Sequence, residues 1–151
     1  MKCLSVSQPY ADLIIQGKKT IELRTWNTKY RGEFLVHAPY KIKKDACKKL
    51  GIDKTKLRIG VIIGKAEIHD VKIYNSVSEL KSDFKKHFAT EKFLQHKYGF
   101  LLRKPQELRI PIPYKGSLGF FNVNLDTKMK ENDIKSELFD EEHRYQWISR
   151  H

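Results

Sequence analysis

Between Gln16 and Trp26 the chain changes its period, and that change constrains the fold more than any other stretch. Upstream, Ser7-Gln8-Pro9 reads as a helix start with proline in the first turn, where its missing N–H costs nothing. Tyr10, Leu13 and Ile14 then form an i, i+3, i+4 apolar stripe, and Gly17 supplies the left-handed residue that ends such a helix. Lys18 and Lys19 follow beside its negative end. From Thr20 the alternation is two, with Thr20, Glu22, Arg24 and Trp26 on one side and Ile21, Leu23 and Thr25 on the other. This predicts a strand whose apolar side faces a core while Glu22, Arg24 and Trp26 face a groove or solvent.

The remaining pattern is richer in strands than in helices. Strands are expected over residues 2–6, 33–38 and 57–74, the last holding Gly60 and Gly64 as bends or bulges of the kind that let a sheet curl toward a barrel. Residues 98–102 and 118–123 return to strand character, separated by a segment that Pro105, Pro111 and Pro113 make an edge or a loop. A lysine-rich helix is expected over 41–50, stopped by Gly51. Ser76 and Glu79 have capping-box spacing, and Leu80, Phe84, Phe88 and Phe93 predict an apolar helical face through about His96, with Thr90 capping a second piece. Ile134, Leu138, Tyr145 and Ile148 predict a C-terminal helix. The order of elements does not suit alternating βαβ units, so the class expected is α+β, with a small curled sheet or barrel and flanking helices. Residues 1–125 would form one domain and 126–151 a helical extension packed on it.

Charge narrows the partners. The net charge of +12 is uneven: residues 126–151 carry five Lys/Arg against seven Asp/Glu, leaving 25 against 11 before them, a surplus of +14. Such a surplus favours a polyanion such as nucleic acid through counterion release, although a role in solubility gives the same composition. Cys3 and Cys47 have no partner at ligand spacing, so neither a metal site nor a disulfide is expected. No apolar run approaches a membrane span, and a soluble, cytoplasmic placement is the simplest expectation. The GxSxG, Walker, GxGxxG and HExxH patterns do not occur.

Taken singly, Glu22 with Arg24 reads as a surface ion pair, and Lys18 and Lys19 as cations at a helix end. Their density, with Trp26 as a stacking face, suits binding of a nucleotide by phosphate contact, stacking and edge hydrogen bonds. Arg31, in the turn Tyr30-Arg31-Gly32, is placed to reach phosphate or merely to close a surface turn. Glu67 lies on an otherwise apolar strand, where it either points to solvent or pairs with a cation such as Lys19 or Arg24. His37, among Leu35, Val36, Ala38 and Pro39, reads as a satisfied structural histidine.

The run Gly17-Lys18-Lys19-Thr20-Ile21-Glu22-Leu23-Arg24 fits Gly-x-Lys-x-x-Glu-x-Arg and resembles the hallmark of the ASCH family, a group similar to the PUA fold. The resemblance extends from Leu4-Ser5-Val6-Ser7-Gln8-Pro9-Tyr10 through Trp26, Tyr30-Arg31-Gly32 and His37-Ala38. It returns at Gly64-Lys65-Ala66-Glu67 and at Pro113-Tyr114-Lys115-Gly116-Ser117-Leu118-Gly119-Phe120-Phe121. It implies a PUA-like barrel with a cleft between sheet and helices, lined by Lys19, Glu22 and Arg24 with Glu67 nearby, and suited to RNA or a nucleoside. The function expected is RNA binding, with Lys18, Lys19, Arg24, Trp26 and Arg31 as contacts. A second reading is an enzyme in the same cleft with Lys19, Glu22 and Glu67 catalytic, either a metal-independent ribonuclease or a modified-nucleoside hydrolase. Glu22 stands where the family's amidohydrolases carry a threonine, which counts against the hydrolase. The third reading is a protein-interaction module, and none of the three calls for a cofactor.

Overall fold

The computed structural model describes residues 1–90 and 96–124. Their strands are β1 (Lys2–Ser5), β2 (Ile21–Arg24), β3 (Gly32–Ala38), β4 (Val61–Ile73), β5 (Tyr98–Pro113) and β6 (Phe120–Asn122). They form one sheet in the order β2-β5-β4-β3-β1-β6, in which only β1 and β3 run parallel. Among the described residues four α-helices flank it, α1 (Tyr10–Ile15), α2 (Lys44–Leu50), α3 (Val77–Ser82) and α4 (Phe84–His87), with a 3-10 turn at Lys54–Lys56. The core lies under α1, whose Ala11, Leu13 and Ile14 pack with Phe34, Val36, Ile63, Ile68 and Phe100 from the sheet. Buried Gln8 anchors the start of α1, accepting from the Asp12 N–H at 2.9 Å and donating to the Asp12 carboxylate at 2.8 Å.

The sheet curls because β4 and β5 slip register three times, between Ile62 and Gly64, Lys65 and Glu67, and Ile68 and Asp70. Each irregularity bends the strand and increases its twist. Gly64 is one of these points, and a Cβ there would stand 2.3 Å from the Gln106 carbonyl oxygen and 2.8 Å from Ile15. Only glycine lets the two strands approach so closely beneath α1.

One expectation is narrowed and another changes. Of the two alternatives for the proline-bearing stretch, edge or loop, it is a strand with an edge, since β5 is continuous over 16 residues. Its prolines are tolerated since β2 covers β5 only from Tyr98 to Leu101, and among the described residues no other strand pairs along the rest of that side. The helix expected from Ser76 to about His96 is instead broken at Asp83. The Asp83 carboxylate accepts from the Tyr74 hydroxyl at 2.6 Å and from Lys72 at 2.7 Å, which ties the chain to the end of β4. Leu80 is buried as expected, whereas Phe84 is left exposed. Ser76 does cap α3 through the Glu79 N–H, while the Glu79 carboxylate accepts from Asn75 rather than from Ser76 itself. Phe93, the piece expected after Thr90 and the helix expected in 126–151 lie outside the described residues.

The two edge strands, β2 and β6, approach each other across a seam closed by side chains. Trp26, just past β2, meets Phe120 of β6 edge-on at 5.9 Å and Phe100 of β5 at 5.3 Å. Phe120 also contacts Phe34 and Tyr30. Ser5 lies one residue past the last β1–β6 pair, Leu4 with Phe120, and its carbonyl accepts from Arg24 Nη2 at 2.7 Å.

Candidate functional site

The turn after α1 sets the site. Gly17 adopts φ +79°, and the N–H groups of both Lys18 and Lys19 then donate to the Leu13 carbonyl at 3.0 Å. Lys18 is left in solvent and Lys19 is turned inward, 3% exposed. The Lys19 ammonium donates to the carbonyls of Ile21 at 2.6 Å and His87 at 2.8 Å, and pairs with Glu22 Oε1 at 3.2 Å. An ammonium has three N–H groups, and these three partners use all of them. Glu22 Oε2 accepts from Arg24 Nε at 2.8 Å, and Arg24 reaches on to the Ser5 carbonyl. A continuous row, Lys19 to Glu22 to Arg24 to Ser5, therefore crosses from β2 to β1.

Glu22 borders a cleft but is itself buried, only 7% exposed. It stands opposite Phe100 of the main core in the β2–β5 register. Ile21 and Leu23 pack with Tyr74 and Leu80 on the other side of β2, and α4 adds the His87 carbonyl that accepts from Lys19. Burial works against the Glu22 carboxylate, but Lys19 and Arg24 together outweigh it and hold Glu22 below the ordinary glutamate range. Lys19 has one anion and the repulsion of Arg24 nearby, so burial wins there and lowers its pKa.

A cleft of about 260 Å³ opens beside this row, lined further by Ser7, Tyr10, Lys43, Ala89 and His96. Lys43 arrives because its N–H donates to the Gln8 carbonyl at 2.8 Å, tying the loop before α2 to the start of α1. Neither Lys43 nor His96 carries a spacing signal, so pattern reading missed both. Ser5 and Ser7 fall within the resemblance described above but were not singled out.

Other expected site residues lie apart from the cleft. Trp26 is half-buried in the seam, with the Arg24 guanidinium 5.9 Å from its ring. Arg31 donates to the carbonyls of Thr28 and Tyr30 and lies 3.5 Å from Asp70. Glu67 pairs with neither Lys19 nor Arg24. In the register shift after Lys65 it stands opposite Arg103, which donates to it at 2.7 and 2.9 Å, with Lys104 at 3.7 Å. Hydrogen bonds from Arg103 hold its pKa below the usual glutamate range. His37 is satisfied on both nitrogens: Nε2 donates to the Tyr114 carbonyl at 2.7 Å, leaving Nδ1 to accept the Ser5 hydroxyl at 2.9 Å. Among the described residues no group of three or more His, Cys, Asp or Glu is arranged to hold a metal, and no helix is long and apolar enough to cross a membrane.

Comparison with known proteins places these features in context. The family model described as the ASCH domain matches residues 4–144. Human activating signal cointegrator 1 is 24% identical over 147 residues, an alignment covering 88% of this chain and 24% of that protein. The chain thus spans about a quarter of the length of that curated relative. The crystal structure of ASCH from Zymomonas mobilis is similar at a TM-score of 0.63 and 18% identity, over 91% of this chain and 94% of that one. Serine-to-alanine and tyrosine-to-phenylalanine variants of the same bacterial protein are each similar at 0.58 and 18% identity, over 89% of this chain and 92% and 94% of theirs. At such identity the likeness is one of fold.

Proposed function

The chain belongs to the ASCH domain family, and from that premise we propose that it binds single-stranded RNA or a nucleotide in the basic cleft beside Arg24. The observation that carries this reading is the way Arg24 is held. Glu22 fixes its Nε and the Ser5 carbonyl fixes Nη2, so a partly exposed guanidinium is pre-positioned at the cleft with other donors of its fork still to offer. Lys43 and His96 line the same cleft, on a body whose surplus of +14 attracts phosphate. Family membership supports RNA as the ligand class.

In this reading Arg24 and Lys43 contact phosphate, while Lys19 and Glu22 orient Arg24 and do not touch the ligand. Lys19 has no donor left for a substrate, and Glu22, stabilised as a carboxylate between two cations, is a poor base for a 2′-hydroxyl. The geometry favours binding over turnover.

The test is affinity for a single-stranded RNA as salt is raised. Log affinity is expected to fall linearly with log salt, and Lys43→Ala to make the slope shallower by about 1. Arg24→Lys keeps the charge but loses the fixed fork, so it is expected to weaken binding with little change of slope. Absence of binding at low salt, or indifference to both substitutions, would refute the reading.

A further inference from the structure

Past Ser5 and Ser7, which line both spaces, the cleft continues into a larger pocket of about 620 Å³ bordered by His37, Tyr40, Tyr114 and Leu118. We propose that this pocket takes the base of the nucleotide whose phosphate lies against Arg24, an inference that rests on the binding reading just given.

The two spaces differ in chemistry in the way a nucleotide does. The first is lined by Lys19, Glu22, Arg24, Lys43 and His96, and the second by proline, tyrosine and leucine with Lys115 at its border. Tyr40 is 76% exposed and Leu118 is 96% exposed, so the fold itself leaves this aromatic and aliphatic surface uncovered.

Two glycines shape the pocket. At Gly60, with φ +70°, a Cβ would stand 2.5 Å from the Tyr40 ring, so the missing side chain lets that ring approach the backbone closely at the border of the pocket. At Gly116 a Cβ would stand 2.6 Å from the Ser5 hydroxyl and 2.7 Å from the His37 ring, so the loop settles directly on the pair that divides the two spaces. A pocket bordered by tyrosine rings and a leucine suits a planar ring.

Polar groups in the pocket predict tolerance rather than strict reading. Both His37 nitrogens are engaged and read nothing. The Ser7 and Ser117 hydroxyls donate or accept equally well, so stacking carries the affinity and base identity matters little.

The experiment uses the full chain at low salt with two probes, a short single-stranded RNA and the same strand without its bases. The intact strand is expected to bind roughly 5- to 100-fold more tightly. Tyr40→Ala is expected to remove most of that ratio while leaving the abasic strand and the salt slope unchanged, and Tyr40→Phe to restore it. Tyr40 is exposed, so the substitution spares the core. Equal binding of the two strands, or a ratio unmoved by Tyr40→Ala, overturns the base pocket and leaves the phosphate cleft standing. No binding of either strand overturns both. Tighter binding of both strands by Tyr40→Ala likewise overturns the base pocket.

Discussion

His87 is a residue whose further protonation the fold resists. Its Nε2 donates to the Leu80 carbonyl at 2.7 Å, and its Nδ1 accepts from the Ala89 N–H at 2.9 Å. A second proton on Nδ1 would face that N–H and break the bond. Burial, assisted by the Lys19 ammonium, lowers its pKa below the ordinary 6.5 in spite of the Leu80 carbonyl. The unfolded chain therefore binds this proton at a higher pH than the folded chain does. The stability due to His87 is complete above about pH 6.5 and is lost as pH falls from there toward the folded value. His37, also lowered by burial, acts in the same direction. Urea midpoints measured from neutral pH downward should begin to drop near the histidine range, before the carboxylates titrate. A midpoint flat down to about pH 5 would contradict this. Because Lys19 donates to the His87 carbonyl, acid should loosen the site along with α4.

At the scale of elements, the close approach of β4 and β5 at Gly64 is the step on which the curl depends. Gly64→Ala places a methyl against the Gln106 carbonyl, a backbone atom that cannot swing away, and should cost about 1–3 kcal/mol in chemical denaturation. A neutral result would mean that the bulge relaxes freely. The sequence announced this element well, since the β-rich run and its glycine are local signals. It announced the far face of β2 badly. Alternation says that Glu22 and Ile21 point opposite ways, but not that both sides are covered: Ile21 and Leu23 pack with Tyr74 and Leu80, and Glu22 stands opposite Phe100 of the main core. The break at Asp83 was likewise hidden, because an apolar helical stripe is written in neighbouring residues while the anchor on Tyr74 and Lys72 is not. Lys43 entered the cleft through one backbone bond to Gln8, which no spacing rule encodes.

For the whole molecule, the charge surplus and the Gly-x-Lys-x-x-Glu-x-Arg run were legible, and the run pointed to the family. What it did not reveal is the division of labour among its residues. Lys19 and Glu22 are interior supports, and Arg24 alone of the three is both anchored and partly exposed. Arg24 also belongs to the seam, where β2 meets β1 through its bond to Ser5 and Trp26 meets Phe120. Side chains closing a seam can part and rejoin more readily than a hydrogen-bonded ladder. A phosphate resting on Arg24 would favour the closed seam, so occupancy of the cleft and closure of the seam are linked quantities. Hydrogen exchange should then slow on ligand addition at the edge strands β2 and β6 more than at β4 in the middle of the sheet. The site would in that case be a clasp, with its ligand as the pin that fastens the two margins of the sheet.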